Sequence, residues 1–369
     1  MLQVIGSMHI GGAENVVRLL AGSIDRNRFT VGLCCTKESG VMAERVRQEA
    51  PEVDVMLAKS PPHALRYLTP LAVRRVFTQF SPDIVHTHGR PALLHTGPLA
   101  LAGQLPAWVH TFHFGNYDAL SPRAVATEGF FARRASHLVA VSDRQRQSVL
   151  DRHGIDPDCI TTIVNGVLPN PYRSDPEVAA RKRAELGLSP SDFVVGTIAA
   201  LSEQKGVIHL LRAARQVLDG GARVRFLIVG GGPLESSLRS DARALGLGSD
   251  VIFTGWRPDS LELMTALDLF VMSSLWEAMP MALLEAMAAR RGIVVTDVGD
   301  NRRVVDDGRC GLVVPPADAG ALAGAISTLV HDATLLGALR EAAVHRYEQH
   351  YSVDRMATAY EELYMRLAG

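Results

Sequence analysis

Ser273-Ser274-Leu275-Trp276-Glu277-Ala278-Met279-Pro280-Met281-Ala282-Leu283-Leu284-Glu285-Ala286-Met287 decides how this chain is read. The mostly apolar run 267–272 before it predicts a buried strand. Pro280 then stands where a helix begins, because its fixed φ suits a first helical position and its missing N–H costs nothing there. The amides of Met281, Ala282 and Leu283 follow without intrahelical acceptors, and such a helix end attracts anions, phosphate above all. Glu277 falls in the loop before that end, and Glu285 lies about one and a half turns inside the helix. A carboxylate beside bound phosphate suits a neutral partner. Two vicinal ribose hydroxyls can each donate to one oxygen of Glu285, and Glu277 can serve hydroxyls of a second sugar on the far side of the phosphates. The spacing points to a nucleotide-sugar site, although two carboxylates so placed also fit an amphipathic helix with one loop Glu and one solvated Glu.

Outward from this stretch, short apolar strands alternate with amphipathic helices. Strands are predicted at 2–6, 29–35, 83–86, 107–112 and 137–141, then at 193–198, 224–229, 251–253, 268–272, 293–296 and 312–314. Helical spacing fits 13–23, 91–102, 143–152, 207–218, 234–245, 281–289 and 319–330. This alternation predicts α/β architecture with doubly wound parallel sheets, whose ligands bind at the carboxyl ends of the strands. The breaker-rich run Leu168-Pro169-Asn170-Pro171-Tyr172-Arg173-Ser174-Asp175-Pro176 reads as a linker between two Rossmann-like domains, residues 1–170 and 171–351.

Bulk properties narrow the function. The chain has 369 residues, 47% of them apolar, enough for two well-filled cores. A net charge of −1 argues against a general nucleic-acid binder. Cys34, Cys35, Cys159 and Cys310 show no paired metal spacing, and the adjacent pair reads as buried reduced thiols, which fits a cytosolic setting. The sequence opens without the basic and apolar regions of a signal peptide, and no run of about 18 uncharged apolar residues is present.

The 273–287 segment, with Gly292-Ile293-Val294-Val295-Thr296-Asp297-Val298-Gly299 and Gly311-Leu312-Val313-Val314-Pro315-Pro316, resembles the signature of glycosyltransferase family 4, retaining enzymes of the GT-B fold. Gly11-Gly12-Ala13-Glu14, Asp83-Ile84-Val85-His86-Thr87-His88, Val139-Ala140-Val141-Ser142 and Val164-Asn165-Gly166-Val167 match its usual wording in the same order, over almost the whole chain. The resemblance implies a donor/acceptor cleft between the two domains, with a last helix, 352–369, crossing back to the first. It implies a retaining hexosyltransferase that uses a nucleotide-activated sugar, a glycan, lipid-linked or small-molecule acceptor, and no metal. It assigns Glu277 and His113 to the transferred sugar, Glu285 to the ribose, and Lys205 to the diphosphate. Gly11 and Gly12 would face the donor phosphates, Gly230 and Gly231 would let the nucleotide approach the main chain, and Trp256 and Arg257 would meet the base edge.

Departures and rivals accompany these assignments. Ala200 stands where the family usually carries a phosphate-binding arginine, leaving Arg257 or Arg302 as replacements. Ala278 replaces a common glycine, which requires a negative φ there, and Arg303 stands where glutamate is frequent. Gly230-Gly231-Gly232-Pro233 lacks the third glycine of a dinucleotide fingerprint, because Glu235 occupies its place. His86, His88, His110 and His113 lie near strand ends, but no carboxylate or thiol joins them at zinc-ligand spacing. Arg123, Arg133, Arg134, Arg144 and Arg146 with Phe130 and Phe131 read as a solvated helix face or as a peripheral contact with the anionic inner membrane surface. A nucleotide-sugar epimerase of the same fold and a degenerate, non-catalytic binding protein are the alternative readings.

Overall fold

Among the described residues both sheets are entirely parallel, seven strands in one and six in the other. The computed structural model describes residues 1–58 and 68–369. The chain divides into one unit of Met1–Gly166 with Val353–Gly369 and a second of Val167–Ser352.

The first unit runs β1 Leu2–Ser7, α1 Gly12–Ser23, β2 Gly32–Glu38, α2 Gly40–Glu49, β3 Asp54–Leu57, α3 Thr69–Phe80, β4 Ile84–His88, α4 Gly89–Leu101, β5 Ala107–Phe112, α5 Pro122–Ala132, β6 His137–Ala140, α6 Asp143–His153 and β7 Ile160–Thr162. The second runs α7 Pro176–Glu185, β8 Phe193–Ile198, α8 Val207–Asp219, β9 Val224–Val229, α9 Glu235–Ala244, β10 Val251–Gly255, α10 Ser260–Ala266, β11 Leu269–Met272, α11 Met281–Ala288, β12 Gly292–Thr296, α12 Asn301–Val304, β13 Leu312–Val314, α13 Ala319–His331 and α14 Ala333–His350. The last helix, α15 Val353–Ala368, belongs to the first unit.

Central strands are apolar on both faces because helices cover both sides of a parallel sheet. Val4, Val85, Val109, Val139, Val195, Val271 and Val294 are all fully buried. The helices declare themselves by spacing and caps. In α8, Val207, Leu210, Leu211, Ala214 and Val217 form one buried stripe. Ser142 caps α6 by accepting from the Gln145 amide, and Gly154 ends that helix in the left-handed region. Asp175 caps α7 by accepting from the amides of Glu177 and Val178, so Pro176 closes the linker as a helix start. No single helix among the described residues is long and apolar enough to cross a membrane; α13 and α14 together reach that length but are bent by 101°.

Several boundaries differ from the sequence reading for physical reasons. The second strand occupies Gly32–Glu38, because Phe29 is buried for another purpose, edge-on to Tyr364 at 6.0 Å, with its amide in a turn onto Asp25. Pro280 is the cap residue before α11, with extended backbone at φ −77° and ψ 124°, and Met281 takes the first helical position. Strands β3 and β7 and helices α2, α3, α5, α7, α10, α12 and α14 were not anticipated.

The strand orders are β3-β2-β1-β4-β5-β6-β7 and β10-β9-β8-β11-β12-β13. In each sheet the chain winds outward, then returns to the other side of its starting strand. The reversal leaves a crevice at the carboxyl ends of β1 and β4 in the first sheet and of β8 and β11 in the second, where such sheets bind ligands.

Candidate active site

Lys205 and Glu277 meet at the crevice of the second sheet. Lys205 ends a single turn of 3-10 helix after β8, and Glu277 follows β11. The Lys205 ammonium lies 2.5 Å from Glu277 Oε1, which also accepts from Ser274 Oγ at 2.8 Å. Gln204 Nε2 donates to the other carboxylate oxygen at 3.2 Å and to the Trp276 carbonyl at 3.1 Å. The two loops are further joined by Ser273 Oγ to the Lys205 carbonyl at 3.0 Å and by the Leu275 amide to the Gln204 carbonyl at 2.7 Å. Gly206 makes this closeness possible: its φ is +54°, and a Cβ there would overlap the Ser273 carbonyl oxygen. Glu277 is thus a buried carboxylate with three donors, while the Lys205 side chain keeps 22% of its surface exposed. A cation so placed can serve a second anion, and the carboxylate has hydrogen-bonding capacity for hydroxyls.

The start of α11 follows within the same loop. Met281 and Leu283 are buried and Ala282 is partly exposed, so the unpaired amides belong to a helix end set in the core. Glu285 is partly buried one turn further on. Ala278 is buried and is not among the residues with positive φ.

The glycine loop after β9 has a structural reason. Gly230 has φ +137°, and a Cβ on it would overlap the Ala199 carbonyl oxygen. Its amide donates to the Gly255 carbonyl at 2.9 Å, and the Gly231 carbonyl accepts from the Leu201 amide at 2.9 Å. The loop therefore packs backbone to backbone against the segment that leads to Lys205. Trp256 is 49% exposed, so its ring is not part of the core. The Arg257 guanidinium is held by Asp259 at 2.6 and 2.8 Å and by Glu185 at 2.6 Å. Arg302 pairs with Asp297 at 2.8 Å. Both arginines offered as substitutes at the Ala200 position are committed to local carboxylates, and Ala200 itself is exposed.

In the first unit, Gly11 caps α1 in extended backbone, and Gly12 opens the helix. A Cβ on Gly11 would overlap Glu14 Oε2, so the helix start meets the chain's own carboxylate. Burial raises the Glu14 pKa, partly offset by a hydrogen bond to its own backbone and by His9. Four histidines gather at β4 and β5. His88 Nδ1 lies 3.1 Å from His113 Nε2. His86 is bonded through Nδ1 to Tyr364 at 2.6 Å and through Nε2 to Thr111 at 2.7 Å. Burial pushes the pKa values of His86 and His88 well down, that of His113 to about 4 and that of His110 to about 3. Sequence reasoning did not foresee the contact of His88 with His113, nor the donors Ser274 and Gln204; no motif spacing signals them.

Some of the basic and aromatic side chains of α5 and α6 are held by local partners. Arg133 donates to the His153 carbonyl at 2.6 Å, and Arg146 donates to the carbonyls of Ile160 and Pro157. Phe131 lies against Gly97, while Arg134 stacks over exposed Phe130 at 3.7 Å. Among the described residues no group of three or more His, Cys, Asp or Glu side chains is arranged to hold a metal ion.

Known proteins agree with this architecture. The family described as Glycosyltransferase Family 4 matches residues 10–170, and Glycosyl transferases group 1 matches residues 192–332. The UDP-Gal:alpha-D-GlcNAc-diphosphoundecaprenol alpha-1,3-galactosyltransferase of Escherichia coli is 25% identical over 85% of this chain and 83% of its own. The 2-deoxystreptamine N-acetyl-D-glucosaminyltransferase of Streptomyces fradiae is 30% identical over 76% of this chain and 70% of its own. In structure, Anabaena HepE in complex with UDP and glucose superposes with a TM-score of 0.88 at 23% identity, covering 99% of both chains, which shows the GT-B fold. With two parallel-sheet units, both family matches and these relatives, the chain belongs to glycosyltransferase family 4 and is a glycosyltransferase.

Proposed function

We propose that this glycosyltransferase moves a hexosyl group from a nucleoside-diphosphate sugar to an acceptor hydroxyl, with retention at the anomeric carbon and without a metal. The observation that carries the reading is the Lys205–Glu277 pair at the crevice of the second sheet, one loop before the open amides of α11. The amides of Met281, Ala282 and Leu283 and the Lys205 ammonium take the diphosphate, and Glu285 takes the ribose. As the sugar–phosphate bond breaks, charge grows on the leaving diphosphate, and positioned donors stabilise it more than the ground state. An incoming diphosphate draws Lys205 from Glu277, and the freed carboxylate oxygen then accepts from sugar hydroxyls. Attack from the face of the departing phosphate, which takes the acceptor proton, gives retention.

The relatives support the substrate class. The E. coli enzyme is named for UDP-Gal and a diphosphoundecaprenol-linked acceptor, the Streptomyces enzyme for 2-deoxystreptamine, and HepE has a structure with UDP-glucose. The acceptor here is accordingly a glycan, a lipid-linked saccharide or a small polyol. A thermal-shift screen of nucleoside diphosphates and their sugars tests the proposal. A ligand at one hundred times its Kd adds about 2.7 kcal/mol to apparent stability. No shift with any nucleoside diphosphate, or a product of inverted configuration by NMR, would reject it.

A further inference from the structure

We infer that His88 fixes the tautomer of His113, so that His113 presents an Nδ1–H donor to the bound substrate and meets an acceptor oxygen there. The inference rests on the proposed transferase reading only for the identity of that substrate.

His88 ends β4 and His113 follows β5, adjacent strands in which His88 stands level with Thr111. The two rings are inclined by 23° with their centroids 5.4 Å apart, which with the nitrogen–nitrogen contact sets them edge to edge. Burial keeps both imidazoles neutral near pH 7. Each ring therefore carries a single proton, and the 3.1 Å contact between His88 Nδ1 and His113 Nε2 needs one donor and one acceptor.

Two arrangements satisfy that contact, and the far side of His88 chooses between them. His88 is 1% exposed, and its Nε2 is buried without a hydrogen-bond partner. The neighbouring His86 ring, 3.9 Å away between centroids, has both nitrogens engaged by Tyr364 and Thr111 and cannot accept from it. If His88 carried its proton on Nε2, a buried N–H would have no acceptor. With the proton on Nδ1, the orphan is a bare lone pair. Buried unpaired donors are rarer in native proteins than under-satisfied acceptors, so the second arrangement is favoured. His88 then donates to His113 Nε2, and the proton of His113 resides on Nδ1. That atom has no hydrogen-bond partner among the described residues, and His113 is partly exposed. His113 is thereby a hydrogen-bond donor to ligand, and His88 is its positioning residue.

Long-range 1H–15N NMR of histidine-labelled protein near neutral pH reads the tautomer directly, with His113→Asn assigning the signal. The expected result is the Nδ1–H pattern for His113 in the wild-type protein. His88→Asn, whose amide can still donate to His113 Nε2, should keep that pattern and most of the turnover. His88→Leu should shift His113 to the Nε2–H form that imidazole prefers in water. It should lower kcat by about tenfold, leaving nucleoside-diphosphate affinity unchanged. An Nε2–H signal for His113 in the wild-type protein overturns the inference, whether or not the leucine variant folds. So does unchanged kcat in a His88→Leu protein whose His113 has switched. The spectrum needs no substrate, so a wrong transferase reading would leave the tautomer result standing.

Discussion

Replacing Lys205 by methionine keeps the aliphatic stem and removes the charge opposite Glu277. The Glu277 side chain is 5% exposed and that of Lys205 is 22% exposed. Ser274 Oγ at 2.8 Å and Gln204 Nε2 at 3.2 Å would remain as donors to the carboxylate. Removing one partner of a fully buried ion pair costs about 3–5 kcal/mol. Solvent access to the lysine and the two remaining donors bring the expected cost here to about 2–3 kcal/mol. In a domain of this size each kcal/mol is worth roughly 2–4 °C, so the transition of the second unit should fall by roughly 4–12 °C. The double variant Lys205→Met/Glu277→Gln no longer buries an uncompensated charge and should regain most of that loss, while transfer stays lost. Calorimetry of the four proteins completes the cycle. A coupling below about 0.5 kcal/mol would show that the pair does not hold these loops, and the argument for a poised Lys205 would fall with it.

Four further outcomes are expected. Glu285→Ala should weaken nucleoside-diphosphate binding by roughly 1.5–3 kcal/mol in titration calorimetry, and unchanged affinity would remove the ribose role. Transfer should persist in EDTA; loss restored by a divalent ion would contradict metal independence. Ala200 is exposed, so Ala200→Arg should fold normally and restore part of the turnover lost in Lys205→Ala, because a guanidinium grips phosphate in two places; a folded double variant as inactive as Lys205→Ala would show that the position does not reach the phosphates. The fourth concerns a buried pair behind β5, Glu128 and His153, 3.9 Å apart. Burial, only partly offset by Arg90, raises the Glu128 pKa to about 7. Its contribution to stability is therefore fully present below about 4.5 and is lost as pH rises towards 7. Burial lowers the His153 pKa to about 4, so its contribution runs the opposite way, present above about 6.5 and lost as pH falls towards 4. Glu128→Gln isolates the first term: its melting temperature should exceed that of the wild type at pH 8, by a margin that shrinks as pH falls to 4.5, and a pH-independent difference would refute this.

The sheets were legible because central parallel strands need apolar residues on both faces, and runs such as Val224–Val229 occur for little other reason. Edge strands lack that constraint. Asp54–Leu57 is exposed at both ends and Ile160–Thr162 is three residues long, so neither stood out. Helix α2 escaped notice because it is mostly polar, burying Met42, Ala43 and Val46 alone. At the site, the order of motifs identified Lys205 and Glu277 but gave them separate partners. That they pair with each other depends on Gly206 and on the adjacency of β8 and β11, which is a property of topology. The glycines at 230 and 231 suggested room for a ligand, and the sequence could not show that Gly230 also makes room for the chain's own Ala199.

Helix α15 follows the whole second unit in the sequence and is a structural part of the first. Tyr360 and Tyr364 are fully buried and hold Thr111 and His86, and Glu361 accepts from the Asp25 amide at 2.8 Å and from Arg28 at 3.1 Å. During synthesis the strands of the first unit emerge early, yet their covering helix arrives only after the whole second unit has been translated. At about 5–20 residues per second that interval is roughly 10–40 s. The second unit can close as soon as its own residues are out, so completion reverses the order of synthesis. Until then the nascent chain carries an uncovered apolar sheet face with His86 and Thr111 on it, a natural target for chaperones. A stop codon or rigid fusion after Tyr351 would be felt in folding yield, through a unit more than three hundred residues upstream in its first strand.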